Sequence, residues 1–409
     1  MNNSFKLPDF LSHLEVVGSL KDDLELCRAP LDIQIDDPNI QVEDYGSSAM
    51  AMLPSFVEAY QRNDQEFLKA AQDTNYQNLE PIRKNIESNG DNAWVKAKDD
   101  NGVVFFLSYN NNACTWVYPE KELSKDKTQL VYSLGSFDNV TKEASFAFLS
   151  LKNPYVEIIE TALLAVVTKV ATKMIAKGLT AVAADIRAAF TVAAEEAGLG
   201  RVFAFLVSET AVKAVSFVFA TILAIGLVFL IDWIISIMTA DFYIRLQIFN
   251  FDDNRDWSSD GDKHFFDNAK IAGKDTDYTG FSLPRRQKAK LPPFISDATT
   301  DDIIVSYAEI DLENDSKFME GLGVALSMKT DDASFTLASD CPFVGATVIK
   351  ETAPAVSDLQ DYFSDNSWCD DLKTNIDVNG MPVGMTLNTQ HGAENNIYEV
   401  TVLIGKDAK

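Results

Sequence analysis

Residues Ala214 to Ile231 read AVSFVFATILAIGLVFLI, 18 positions without a charge, in a chain of 409 residues whose formal net charge is −26. Asp232 follows, and Trp233 to Ala240 is uncharged again. At 1.5 Å rise per residue such a run makes about 27 Å of helix, close to the roughly 30 Å hydrocarbon core of a bilayer. A chain with this segment either buries it at the centre of a water-soluble fold or holds it for a membrane.

The charge is distributed unevenly. Residues 1–150 carry 24 acids against 13 bases, residues 151–240 carry 7 against 7, and residues 241–409 carry 30 against 15. The middle is a neutral island between two acidic ends. Acidic ends repel phosphate backbones and anionic lipid, so nucleic acid is excluded as a partner. They also keep a chain with an apolar segment in solution. With 46% hydrophobic and 23% charged residues the chain is globular, with room for two or three domains. The four cysteines, Cys27, Cys114, Cys341 and Cys369, make no CxxC motif and no disulfide scaffold, and are read as buried or idle thiols. The N-terminus has no basic region followed by an apolar run. The expectation is a soluble protein without a signal peptide, released by a non-classical route.

The text of the chain predicts an α+β multidomain fold. Residues 1–152 form an acidic α+β domain. Its best helical stretch, Ser47 to Ala71, is interrupted at Pro54, and strands follow from Ala93. Asn101-Gly102 between two strand-like runs signals a hairpin. Residues 153–240 form a hydrophobic helical domain with helices over Tyr155–Lys177, Thr180–Ala197 and Val202–Ala240. Residues 241–409 are acidic and β-rich. Phe242, Ile244, Leu246 and Ile248 alternate, and further strands fall at Ile303–Ile310, Gly323–Met328, Ser334–Ala338, Phe343–Ile349 and Ile397–Ile404. Their spacing fits an antiparallel β-sandwich that binds a target.

The island carries the sharpest candidates. Lys169, Lys173 and Lys177 sit four apart and give the first helix a basic stripe, as in amphipathic helices that lie on a membrane. Ser216, Ala220 and Ala224 are small and four apart, a spacing that lets helices approach closely in lipid. Phe217, Leu227, Phe229 and Trp233 complete the apolar set, and Asp232 belongs at an interface or a pore wall. The competing reading is a buried helical bundle with its lysines in solvent. The unbroken apolar run favours insertion, because core helices seldom run that far without a polar residue.

Asp256 to Asp267 places oxygen ligands at relative positions one, three, five and twelve (Asp256, Ser258, Asp260, Asp267) with Gly261 at six. That is calcium-loop spacing, and Ca2+ is the one cofactor it suggests. Position twelve is Asp rather than Glu, and the flanking text is strand-like; an acidic hairpin is the alternative. No GxSxG, HExxH, P-loop or GxGxxG motif is present, so no enzyme is expected. Trp257, Phe265, Phe266, Tyr278, Phe281, Tyr362, Phe363 and Trp368 are either core aromatics of the sandwich or exposed contacts for a membrane or glycan.

With Thr161–Lys177 and Val202–Ala240 set between soluble domains, the layout resembles α-helical pore-forming toxins, including the hydrophobic hairpin of pore-forming colicins. The likeness is one of layout, without a shared signature motif. It implies a soluble protein that recognises a membrane lipid, surface receptor or glycan, releases its central helices and inserts them as a homo-oligomer. Low pH, by neutralising excess carboxylates, is the expected trigger. A constitutive single-span membrane protein and a soluble β-rich binding or structural protein with a buried helical core are the alternatives.

Overall fold

The computed structural model describes residues 6–27, 41–44, 48–51, 53–120, 129–152, 156–177, 192, 242–272, 278, 280–286, 291–295, 304–315 and 320–409. In chain order its strands and helices are β1 (Glu15–Ser19), α1 (Leu20–Cys27), β2 (Gln41–Asp44), β3 (Ser48–Ala51), α2 (Pro54–Arg62), α3 (Gln65–Asn89), β4 (Val95–Lys98), β5 (Val104–Tyr109), β6 (Ala113–Pro119), β7 (Gln129–Asp138), β8 (Ala144–Lys152), α4 (Val156–Lys177), β9 (Tyr243–Asn250), β10 (Trp257–Asp260), β11 (His264–Asp267), β12 (Ala269–Ile271), β13 (Gly280–Leu283), β14 (Ile304–Asn314), β15 (Leu322–Lys329), β16 (Ser334–Cys341), β17 (Val348–Thr352), α5 (Leu359–Ser364), β18 (Lys373–Val378), β19 (Met381–Leu387) and β20 (Ile397–Ile404). The chain divides into two compact units, each assembled from separate segments: residues 1–48, 72–230 and 289–301, and residues 49–71, 231–288 and 302–409.

The first unit is built on an antiparallel sheet in the order β1-β4-β5-β6-β7-β8, with β2 paired to β8. The expected hairpin joins β4 and β5. Asp99 Oδ1 accepts from the Asn101 and Val103 amides at 2.9 and 2.8 Å, and Gly102 takes the left-handed conformation (φ 77°) that the turn needs. Trp94, Phe105, Phe106, Trp116, Tyr132 and Phe146 are fully buried. Phe294 stacks on Phe105 with ring centroids 4.5 Å apart.

Helix α4 belongs to this core. Leu164, Ala165, Val166, Val167, Val170, Ala171 and Ile175 are all buried, and the helix packs on α1, β6 and β7. The Thr168 and Thr172 hydroxyls donate to the Leu164 and Thr168 carbonyls four residues back, so these buried polar groups are satisfied inside the helix. Lys169 Nζ lies 2.9 Å from Asp91, with its side chain 11% exposed.

The second unit is a β-sandwich. One sheet runs β14-β9-β20-β19-β18 with β12 on β14; the other runs β13-β10-β15-β16-β17 with β11 on β15. In the first, β9 and β20 are parallel, and β14 and β19 flank them antiparallel. The alternation expected from Phe242 onward is present. Ile244, Leu246 and Ile248 enter an apolar core with Leu312, Val383, Val400 and Val402, which Trp257, Val324, Leu326, Phe335 and Leu337 close from the facing sheet.

Several expectations are corrected. The described residues are mostly β, and what they include of the expected helical middle is α4, packed into the first unit, so the α+β fold class built around a helical middle does not hold. No helix among the described residues is long and apolar enough to cross a membrane. With α4 occupied on its apolar surface by the sheet, the features expected of helical pore formation (an amphipathic membrane helix, an inserting hydrophobic helix) are not supported, whereas sandwich-like sheets are. Pro54 starts α2 rather than interrupting a helix, since its missing N–H falls where none is needed. Val202–Ala240, with Ser216, Phe217, Ala220, Ala224, Leu227, Phe229, Asp232 and Trp233, lies outside the described residues.

Candidate functional site

One end of the sandwich gathers three loops, 342–347 between β16 and β17, 365–372 between α5 and β18, and 388–396 between β19 and β20. Hydrogen bonds from main chain and side chain tie them together. The Thr347 amide donates to the Gln390 carbonyl at 2.9 Å, Gln390 Nε2 donates to the Asp370 carbonyl at 2.6 Å, and the Leu387 amide donates to the Leu372 carbonyl at 2.8 Å. Asn388 braces its own loop, its Oδ1 accepting from the Thr389 and Glu399 amides at 2.8 and 3.0 Å. Asn63, the left-handed cap of α2, donates to the Leu387 carbonyl at 2.8 Å, and Lys69 pairs with Glu394.

From this braced end apolar side chains project. Val344 is 84% exposed and Phe343 38%, and Leu372 is also exposed. The Phe343 ring meets Phe242 edge-on, centroids 5.8 Å apart. Gly345, with φ 136°, lets the chain turn back toward β17. The three loops contain Asp365, Asp370, Asp371 and Glu394 and neither Lys nor Arg.

Behind the end lies a lysine clamp. Lys350 on β17 is buried, and its Nζ donates to the Tyr362 and Asp365 carbonyls at 2.5 and 2.7 Å. It also lies 4.1 Å from the Trp368 ring centroid and 4.5 Å from that of Tyr362. Burial lowers its pKa, opposed by Asp365 and Asp340. The clamp fixes the last turn of α5 and the segment leading into loop 365–372. Burial, then the charge of Asp267, pushes the neighbouring Asp340 up to about 6, against the pull of Lys350.

The far face of the first sheet holds a buried ion cluster. Arg245 Nε is 3.1 Å from Asp311 and 3.7 Å from Glu309, and Nη1 is 3.5 Å from Glu399. Gln247 Nε2 donates to Glu309 at 2.8 Å. Burial, reinforced by Asp311 and opposed by Arg245, raises Glu309 to about 8; burial also raises Asp311 and Glu399. The sequence did not single out these acids, because their grouping arises only from the register of β14, β9 and β20. The Glu309 and Arg245 side chains are 1% and 3% exposed, which closes the cluster to a substrate in this structure.

The sequence-derived candidates fall elsewhere. Lys169 and Lys173 sit on the packed helix α4, which Lys177 ends. Asp256, Ser258, Asp260 and Asp267 are strung along β10 and β11, two successive segments that both pair with β15. Ser258 pairs with Lys329 and Asp267 with Gly323, six positions apart on β15 and so about 20 Å. Asp260 is tied to Lys329, and Asp256 accepts from the Arg285 amide at 2.7 Å. Among the described residues no group of three or more His, Cys, Asp or Glu could hold a metal ion. Of the aromatic set, Trp257 is wholly in the sandwich core, while Phe265, Tyr362, Phe363 and Trp368 form a cluster on the outer face of the second sheet. Cys114 and Cys341 are buried free thiols, and Cys369 is a half-buried one. No family model matches this chain, and no curated protein matches it. The candidate surface therefore stands on its own geometry.

Proposed function

We propose that this is a β-rich binding protein whose second unit recognises a partner through the braced loop end, by contact rather than by covalent chemistry. The observation that carries this is Val344, the most exposed large apolar residue among the described residues of the second unit, projecting beside Phe343 from loops locked by both sheets. Solvent-exposed apolar side chains on a rigid loop end are the usual form of a recognition surface on a sandwich. A preformed surface also loses little conformational entropy on binding. Burying Val and Phe side chains contributes about 1.5–3 kcal/mol each. The two side chains together, at about 3–6 kcal/mol, correspond at most to roughly millimolar to tens of micromolar affinity, and joint action of several copies would raise it.

Retention of the full chain on intact erythrocytes and intact bacteria tests the proposal. Wild type should be retained on one of the two, and Val344→Asp should be lost from it while melting at the wild-type temperature. Equal retention of the two proteins, or none of either, would rule the surface out.

A further inference from the structure

The charge and shape of the loop end identify the kind of partner it fits. The three loops present Val344, Phe343 and Leu372 together with Asp365, Asp370, Asp371 and Glu394, and no Lys or Arg. Glu394 is paired with Lys69, and the lysine clamp uses only the main-chain carbonyl of Asp365, so Asp365, Asp370 and Asp371 are exposed acidic residues of these loops. The whole chain carries −26. Such a surface is repelled by anionic phosphate or lipid arrays. It matches a layer that is cationic outermost and apolar beneath.

A zwitterionic bilayer has that profile, with choline ammonium groups at the water side and hydrocarbon below. Val344 stands on a tip that turns at Gly345 (φ 136°), so it projects rather than lining a groove. A projecting apolar tip suits a deformable interface, where no matching pocket is needed. The Phe343 ring meets Phe242 edge-on, and Phe242 is packed against the sandwich core, which holds the tip in place.

We propose that the loop end seats on a neutral, phosphocholine-bearing lipid surface, with Val344 and Phe343 entering below the headgroups and Asp370 and Asp371 meeting the choline charges. The inference rests on the function proposed above and adds the identity of the partner. Binding is peripheral and reversible, through loops of the second unit.

The test is flotation of the full-length protein with vesicles of pure phosphatidylcholine and of phosphatidylcholine mixed with phosphatidylserine. Wild type should float with pure phosphatidylcholine and progressively less as phosphatidylserine is added, the loss shrinking in high salt. Val344→Asp should cut the bound fraction at least tenfold. Val140→Asp, at an exposed turn of the first unit, should float like wild type. Folded wild type that stays at the bottom with phosphatidylcholine would overturn the lipid assignment, as would Val344→Asp floating undiminished. Retention on cells separates the two claims. If cells still hold wild type and not Val344→Asp while the vesicles do not, the recognition surface stands and its partner is a protein or glycan.

Discussion

The ammonium of Lys350 lies 4.1 Å from the ring centroid of Trp368, closing a gap between β17 and the segment that feeds the exposed loops. The same ammonium supplies hydrogen bonds to the last carbonyls of α5, a position where a positive charge is favoured. Replacing it removes a cation–π contact and two charge-assisted hydrogen bonds. Lys350→Met should cost about 2–4 kcal/mol in urea unfolding and should raise hydrogen exchange across 359–372. A neutral effect on both would show that the clamp is incidental.

Gly323 on β15 lies beneath Phe363 of α5, and a Cβ at this position would stand 2.1 Å from the ring's Cζ. Gly323→Ala should therefore destabilise by about 1–3 kcal/mol although alanine is the better strand residue. In a Phe363→Ala background the added penalty should largely vanish. A double-mutant cycle in chemical denaturation reads the coupling directly.

Acid should tighten this fold. Burial raises Glu309 to about 8, Glu143 and Glu351 to about 7 and Asp340 to about 6, all above their values in an unfolded chain. Carboxylates raised on folding stabilise fully below their unfolded pKa, near 4, and lose that contribution as pH climbs through 6 to 8. Each tenfold difference in proton affinity is worth about 1.4 kcal/mol. The melting temperature should fall between pH 5 and pH 9, and Glu309→Gln, which has no proton to lose, should flatten the fall. This sign opposes the low-pH trigger inferred from composition. A melting temperature that rises over this range would contradict the assignment.

The fold was legible where local chemistry decided it. Ile244, Leu246 and Ile248 announce one face of β9, and Asn101-Gly102 announces the β4–β5 turn. It was illegible where tertiary context decided. The polar edge strand β18 and Pro382 inside β19 hide a hairpin, and six-residue α5 is too short to show a period. Phe343 was expected in a strand beginning there, but β17 starts only at Val348, which places Phe343 on a loop. The candidate surface could not be seen in sequence for that reason. The ladder of β18, β19 and β20 brings residues 372 and 390 to one end, and the Thr347 amide bonded to the Gln390 carbonyl joins the loop that carries residue 343 to them. Helix α4 misled in the opposite direction. Its Ala, Val and Leu content suits a membrane surface and a protein core equally, and Lys169 found Asp91 rather than lipid.

The most direct test of recognition through the loop end is photo-crosslinking from a benzophenone side chain placed at position 344, with position 140 as the exposed reference. On cells that retain the protein, position 344 should give a discrete adduct and position 140 should give none. Equal labelling from the two positions, or labelling from position 140 alone, would contradict recognition through the loop end.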